Sequence, residues 1–445
     1  MITLERRFGL PDAVVLGLGS MLGAGVFVGF APAVAAAGSG PALLLALALA
    51  GFVAYANATS SARLAARYPE SGGSYVYGRR RLGQFAGFLA GWAFVAGKTA
   101  SCAAMALTVG AYLWPQQARL VAVGTVLAAT GVNLRGVAKT LHATRVLVLL
   151  TLLVLAAVGL AGAGFAGPVW GRVGAGEPAG GYGTLTAAGL LFFAFAGYAR
   201  IATLGEEVRD PRRTIPRAIP VALGLVLAIY LALAVVCLAV LGPDRLAGAT
   251  APLADVVRAA GLPGLVWAVR VGAGIAVTGV LLALLAGVSR TVLAMARRRD
   301  LPGPLAAVHP RHRVPHRAEL AVAVVVLALV SVGDVRDAIG FSAGTVLVYY
   351  AITNAAALTL PREPDRPDRP GWAGRAAWAG RAGAALGAGL AAAGLVGCLL
   401  LAAALPVDSL LAALGVLAAG GLGYAARRLR RPGQPERPAG HGGGT

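Results

Sequence analysis

A chain of 445 residues in which 58% are hydrophobic and only 13% charged lacks the polar surface of a soluble globular protein, in which about 25% of residues are charged. Its mean hydropathy of +0.75 excludes disorder on the same grounds. The few charges are one-sided, 39 Lys and Arg against 18 Asp and Glu, for a net charge of +21. Cys102, Cys237 and Cys398 all sit in apolar runs, so no disulfide framework or metal-ligand spacing is on offer. His309, His312 and His316 share one basic loop and read as loop residues rather than a ligand set. Neither a metal nor a cofactor is expected.

A membrane-spanning helix takes about 20 largely apolar residues at a rise of 1.5 Å each. Twelve stretches qualify: 11–36, 41–62, 83–110, 119–133, 146–165, 184–204, 218–241, 266–296, 318–333, 339–360, 383–404 and 409–426, the fourth and ninth being short. They are long and rich in Leu, Ala and Gly, without the period of two that a membrane strand requires. The expected fold is therefore an all-α polytopic membrane protein of about 12 transmembrane helices. Arg6 and Arg7, the apolar run after them and the small residues Ala35–Gly38 also suit a cleaved leader. Glycines at 17, 19, 23, 25 and 29 interrupt that run and further spans follow it, so the first span is expected to be retained.

Span one carries Gly19, Gly23 and Gly25 within Gly19–Phe27. Each glycine costs a helix about 1 kcal/mol relative to Ala. Together they let the backbone unwind, freeing N–H and C=O groups that hydrocarbon tolerates only around a cavity. Close helix packing through the Gly19–Gly23 G-x-x-x-G is the alternative. A second small-residue interruption follows five spans later, in Phe192–Tyr198 of span six, as in transporters built from inverted repeats with paired broken helices. Freed amides at a half-helix N-terminus suit a carboxylate and freed carbonyls suit an ammonium. The combination fits a zwitterion such as an amino acid.

With the N-terminus in the cytoplasm and sides alternating, 32 of the 39 basic residues fall on the cytoplasmic side and 6 outside. That segregation is the positive-inside signature of an even number of spans with both ends cytoplasmic, here in the cytoplasmic (plasma) membrane. The positive excess faces anionic lipid headgroups; nucleic acid is not an expected partner. The remaining basic residue, Lys98, lies deep in span three and is functional by default. Three roles are open to it: proton coupling, a tether to loose carbonyls of the broken helices, or snorkelling. Asp12, Glu319 and Asp408 read as helix-end acids solvated by water or headgroups. Span eight offers Thr278 and Ser289, about 16 Å apart and too far to ligate one sodium ion. Proton coupling or exchange is preferred. A membrane enzyme would need acids, bases or metal ligands at depth, and His, Asp and Glu are missing there, so no enzymatic activity is expected.

The stretch Gly19–Phe27 resembles the first-helix signature of the amino acid–polyamine–organocation (APC) superfamily. So do Arg67–Tyr75 after span two, Phe193–Tyr198 in span six, Gly205–Pro211 with Pro216-Arg217, and Ser289–Arg297, all in the superfamily's order. The resemblance implies a LeuT-like five-plus-five inverted repeat with helices 1 and 6 broken. The repeats are residues 1–165 (spans one to five) and 184–360 (six to ten), followed by a cytoplasmic loop at 361–382, spans eleven and twelve at 383–426, and a flexible cytoplasmic tail at 427–445. It further implies substrate binding by backbone at Ser20, Met21, Gly23, Ala24 and Gly25 (carboxylate). Carbonyls near Met21 and along Phe193, Ala194, Phe195, Ala196 and Gly197 take the amine. Phe193 resembles the aromatic gate, with core or lipid packing as the alternative. Glu206 and Glu207 stand as a cytoplasmic gate pairing with arginines, or as surface pairs. Ala24 and Ala196-Gly197 depart from the commoner hydroxyl and Gly-Gly, which weakens polar side-chain recognition. The implied activity is secondary active transport of amino acids by alternating access, with a proton or a second substrate as counterpart. Transport of polyamines or other organic amines, or a non-transporting sensor, are the alternatives.

Overall fold

The computed structural model describes residues 9–68, 72–136, 141–198, 201, 208, 211–360 and 373–429. Glu206 and Glu207, most of the 361–382 loop and residues 430–445 lie outside them. The first span is three pieces, α1 (Leu10–Met21), α2 (Ala24–Val28) and α3 (Phe30–Ala37). After it come α4 (Gly40–Arg67), α5 (Ser74–Leu82), α6 (Gln84–Leu113), α7 (Ala118–Leu134), α8 (Leu141–Gly164) and α9 (Gly180–Phe195). The second half holds α10 (Pro211–Gly248), α11 (Pro252–Ala259), α12 (Pro263–Arg297), α13 (His316–Val332), α14 (Val335–Leu358), α15 (Ala373–Ala403) and α16 (Val407–Leu429). Ten helical segments among the described residues are long and apolar enough to cross a membrane. The pieces of the broken first span and the 17-residue α13, which correspond to the first and ninth expected spans, are shorter than that limit. The chain is an all-α polytopic membrane protein. Leu120, Leu160 and Leu422, at 66–72% exposure, point outward where only hydrocarbon receives them without cost.

Helix ends follow local chemistry. Ser39 caps α4, its hydroxyl accepting from the Ala42 amide at 3.4 Å with Pro41 in the first turn, and Asp334 caps α14 by accepting from Asp337 N at 2.8 Å. Gly38 closes α3 with φ +78, a conformation that favours glycine. The turn there is held by the loop before α9, through Ala179 N to Ala37 O and Gly40 N to Ala175 O, both 3.0 Å.

Two short helices carry no apolar run long enough to announce them. One, α11, joins α10 to α12. The other, α5, follows span two and buries Tyr75, Val76 and Tyr77 against the bundle. Its anchor is Asp300, just past α12, whose Oδ2 accepts from Tyr75 Oη at 2.5 Å and from Arg79 Nη1 at 2.8 Å. Both members of the Arg79–Asp300 pair are more than nine-tenths buried. Burial, reinforced by Asp300, raises the Tyr75 phenol above its ordinary pKa, so it stays a donor. Removing one partner of a buried pair strands the other. Asp300→Ala should therefore cost about 3 kcal/mol, read as an earlier unfolding transition in detergent; an unchanged transition would assign the pair no structural weight.

One expectation fails. By its place at a helix end Glu319 reads as a solvated acid, yet it is 3% exposed. Asn133 Nδ2 donates to it at 2.9 Å and also to Leu282 O at 3.1 Å. The cause is that the first turn of α13, exposed at Arg317, turns Glu319 inward onto Asn133 of α7.

Candidate functional site

The interruption expected from the glycines of span one is a real break, the small-residue interruption in span six is a change from α to 3-10 helix, and the two meet. After Met21 the backbone leaves the helix at Leu22 and Gly23, the latter at φ −121, ψ −146. A new helix opens at Ala24 and continues through Gly29, whose φ −70, ψ −24 stays helical, so 24–37 acts as one half-helix. Among the described residues the amides of Ala24 and Gly25 reach no backbone acceptor, which leaves the positive end of the half-helix unspent. The first break lies about 18 Å along from the start of α1 at 1.5 Å per residue, deep in the span. In span six, α9 ends at Phe195 and tightens to a 3-10 turn over Ala196–Tyr198, leaving carbonyls at its negative end.

Contact between the breaks is backbone to backbone. A Cβ at Gly25 would fall on Ala194, and one at Gly197 on the Ser20 carbonyl. Ser20 Oγ donates to Gly197 O at 3.0 Å. The Tyr230 hydroxyl, from α10, spans both breaks, 2.8 Å from Met21 O and 3.2 Å from Ala194 O. Tyr112 Oη donates to Phe27 O at 2.7 Å. These tyrosines escape a reading of the sequence, although a hydroxyl buried in a membrane bundle is bound to seek a partner.

Lys98 is 7% exposed and its Nζ donates to Ala196 O at 3.3 Å; Tyr350 Oη approaches the same carbonyl at 3.4 Å. The ammonium thus ends on the second break rather than at a membrane surface. No carboxylate among the described residues pairs with it. Phe192 packs edge-on against Tyr350 and Phe195 tilts onto Tyr230. Phe193, 8% exposed, has no ring neighbour among the described residues, which sets it apart from both. Met21, Gly23, Ala24, Gly25, Ala194 and Ala196 are buried, and Ser20 and Gly197 are partly so. Opposite the first break α12 presents Val280, 3.3 Å from a Cβ built at Gly23. Thr278 lines an apolar cavity of about 660 Å³ between α6, α7, α8 and α12, and Ser289 Oγ donates to Ala286 O.

The arrangement places a positive half-helix end, whose first amides reach no backbone acceptor, beside a negative one whose carbonyls receive the side chains of Ser20, Lys98, Tyr230 and Tyr350, in a dry interior. Such a pairing can hold a small zwitterion by backbone alone.

The profile of the family described as amino acid permease matches residues 8–415. An uncharacterized transporter of Mycobacterium tuberculosis is 58% identical over 428 residues, covering 96% of this chain and 92% of its own. A methylthioribose transporter of Bacillus subtilis is 27% identical over 389 residues, and the branched-chain amino acid permease BcaP of the same organism 25% over 396. Each of these alignments covers 82% of this chain and 83% of the relative. The chain belongs to the amino acid permease family of the APC superfamily, a multi-pass membrane transporter of amino acids or related substrates.

Proposed function

We propose that the protein is a secondary active transporter that moves amino acids across the cytoplasmic membrane by alternating access, driven by protons, with both termini in the cytoplasm. The observation that carries the reading is the meeting of the two breaks. The amides of Ala24 and Gly25 receive the substrate carboxylate, and the carbonyls of Met21, Ala194 and Ala196 receive its amine. Phe193 covers the bound molecule. Spans one to five and six to ten are the two repeats, and spans eleven and twelve stand outside them.

Recognition through the backbone reads the part that all amino acids share. Ala24 and Ala196 bring no hydroxyl of their own, and the hydroxyls of Ser20, Tyr230 and Tyr350 are spent on backbone carbonyls, which favours small or apolar neutral amino acids. The branched-chain permease among the relatives fits that preference. Proton drive is favoured over sodium because α12 turns Val280, not a hydroxyl, toward Gly23. Lys98 on Ala196 is the group that senses the proton.

Uptake of tritiated amino acids into proteoliposomes, with an unlabelled panel of amino acids, polyamines and methylthioribose as competitors, tests this. Competition by small apolar amino acids is expected. Binding without flux would instead favour a sensor, and competition by polyamines alone an amine carrier. Tyr230→Phe is expected to weaken binding roughly tenfold, the loss of about 1.4 kcal/mol in one buried hydrogen bond. Unchanged affinity would remove Tyr230 from the site.

A further inference from the structure

The helix α5 takes no part in the backbone site, yet a run of contacts leads from it to the second break. Its buried face, Tyr75 to Tyr77, forms an apolar cluster with Leu64 of α4, Phe88 of α6, Met295 of α12 and Ala356 of α14, separate from the main core. The helix thus plugs the place where four spans end, and a cluster of its own can part locally without unfolding the rest. Glycines with positive φ bracket it, Gly72 at +130 and Gly73 at +53 before it and Gly83 at +100 after it. Such positions take up changes of backbone direction without steric cost and can serve as hinges.

Two sets of polar contacts hold α5 down. Tyr75 and Arg79 bind the Asp300 carboxylate, and the Asp300 carbonyl accepts from Arg427 Nη1 of α16 at 2.5 Å. At the other end, Ser74 N donates to Tyr349 Oη of α14 at 3.3 Å. Thr353 Oγ1 gives its proton to Tyr349 O at 3.0 Å, so Ser74 Oγ is the donor in the bond that joins it to Thr353. The next residue of α14 carries the contact inward. The Tyr349 and Tyr350 rings meet edge to face, 4.9 Å between centroids. Two residues of span six grip Tyr350, Tyr198 at 5.0 Å and Phe192 at 5.7 Å, and its hydroxyl reaches Ala196 O at 3.4 Å. Both tyrosines are buried, and in a close-packed interior neither ring shifts without displacing its neighbour.

We propose that α5 is a gate on the cytoplasmic side of the bundle, and that Tyr349 and Tyr350 couple its docking to occupation of the second break. This rests on the substrate site and the orientation given above. A substrate amine drawn to Ala196 O takes up a carbonyl that Tyr350 also contacts. The displaced Tyr350 ring moves Tyr349, and Ser74 N loses its acceptor. Freed at that end, α5 swings on its glycines, and Asp300 and Arg427 are the contacts that draw it back. Coupling of this kind requires that substrate and gate bias the same element, here the tyrosine pair.

Cys102, Cys237 and Cys398 are buried, so one cysteine introduced on the covered face of α5 reports its opening. Purified full-length Val76→Cys would be reacted with a fluorescent maleimide, with and without a mixture of the nineteen protein amino acids other than cysteine. Binding of the same amino acids, tritiated, would be measured in parallel by a proximity assay. The amino acids are expected to raise the labelling rate about tenfold, as a shift of the open population by that factor would. Tyr349→Phe keeps the ring but removes the acceptor of Ser74 N. Added to Val76→Cys, it should retain binding and bring the ratio of the two rates to about one, because substrate no longer biases the gate. A purely structural hydroxyl would raise both rates and leave their ratio unchanged, and that result overturns the coupling. A labelling rate that substrate does not alter, in a protein that binds it, overturns the gate. Failure of wild type to bind any of these amino acids defeats the substrate reading, and this proposal with it. Should Val76→Cys alone not bind, hydrogen exchange of the Ser74–Leu82 amides in the wild-type chain, with Tyr349→Phe beside it, decides by the same ratio.

Discussion

Gly25→Leu is expected to insert into the membrane and bind no amino acid. Leucine favours insertion, so the span itself does not suffer. The damage is local: a Cβ at this position already falls on Ala194, and the leucine adds three more carbons. Overpacking of this kind costs about 1–3 kcal/mol, relieved only by moving the half-helix 24–37 away from α9. The amides of Ala24 and Gly25 would then point elsewhere. A displacement of about 1 Å is worth roughly a hundredfold where groups must be positioned. Binding of tritiated amino acid to purified protein in a proximity assay measures it; wild-type affinity in the variant would place the substrate away from the first break. Gly197→Ala, whose Cβ meets the Ser20 carbonyl, should show a milder loss from the other side of the same contact.

Lys98→Ala should uncouple transport while leaving exchange intact. One proton per substrate converts each pH unit, worth about 1.36 kcal/mol, into tenfold accumulation, so two units should drive about a hundredfold in wild type. The variant should stop at equal concentrations on the two sides. Folding should tolerate the change, because Ala196 O retains Tyr350 Oη at 3.4 Å when the ammonium leaves. Retained accumulation under a pH gradient would show that Lys98 is only a tether. Loss of counterflow together with accumulation would show that the tether is what matters.

Much of this architecture is legible in the amino-acid order. A segment in hydrocarbon must satisfy its own backbone, so every span has to be a long apolar helix, and such runs cannot hide. The glycines around Gly23 and the small residues after Phe195 mark the breaks because they are the places where a helix is cheapest to interrupt. The helix α5 is not legible: its Arg79-Arg80-Arg81 and nine-residue length look like a loop until Asp300 closes on it. Tyr230 is equally silent. It is one aromatic in a run of apolar residues, and only the approach of α10 to both breaks gives its hydroxyl a purpose.

Glu319 draws the line most clearly. In sequence it stands at the start of an apolar stretch, where a carboxylate is normally wet. Its burial depends on which way the first turn of α13 faces and on Asn133 reaching it from α7, both products of packing between segments far apart in the chain. The sequence by itself determined the polytopic helical class, the one-sided charge and the two weak points in the helices, since each follows from hydropathy or from local backbone cost, and its motifs pointed to the family. Only the tertiary structure decided that the weak points touch, that Lys98 ends on Ala196 and that Glu319 is buried against Asn133. Those are distances across the bundle, fixed by the joint packing of helices and by no single stretch of the chain.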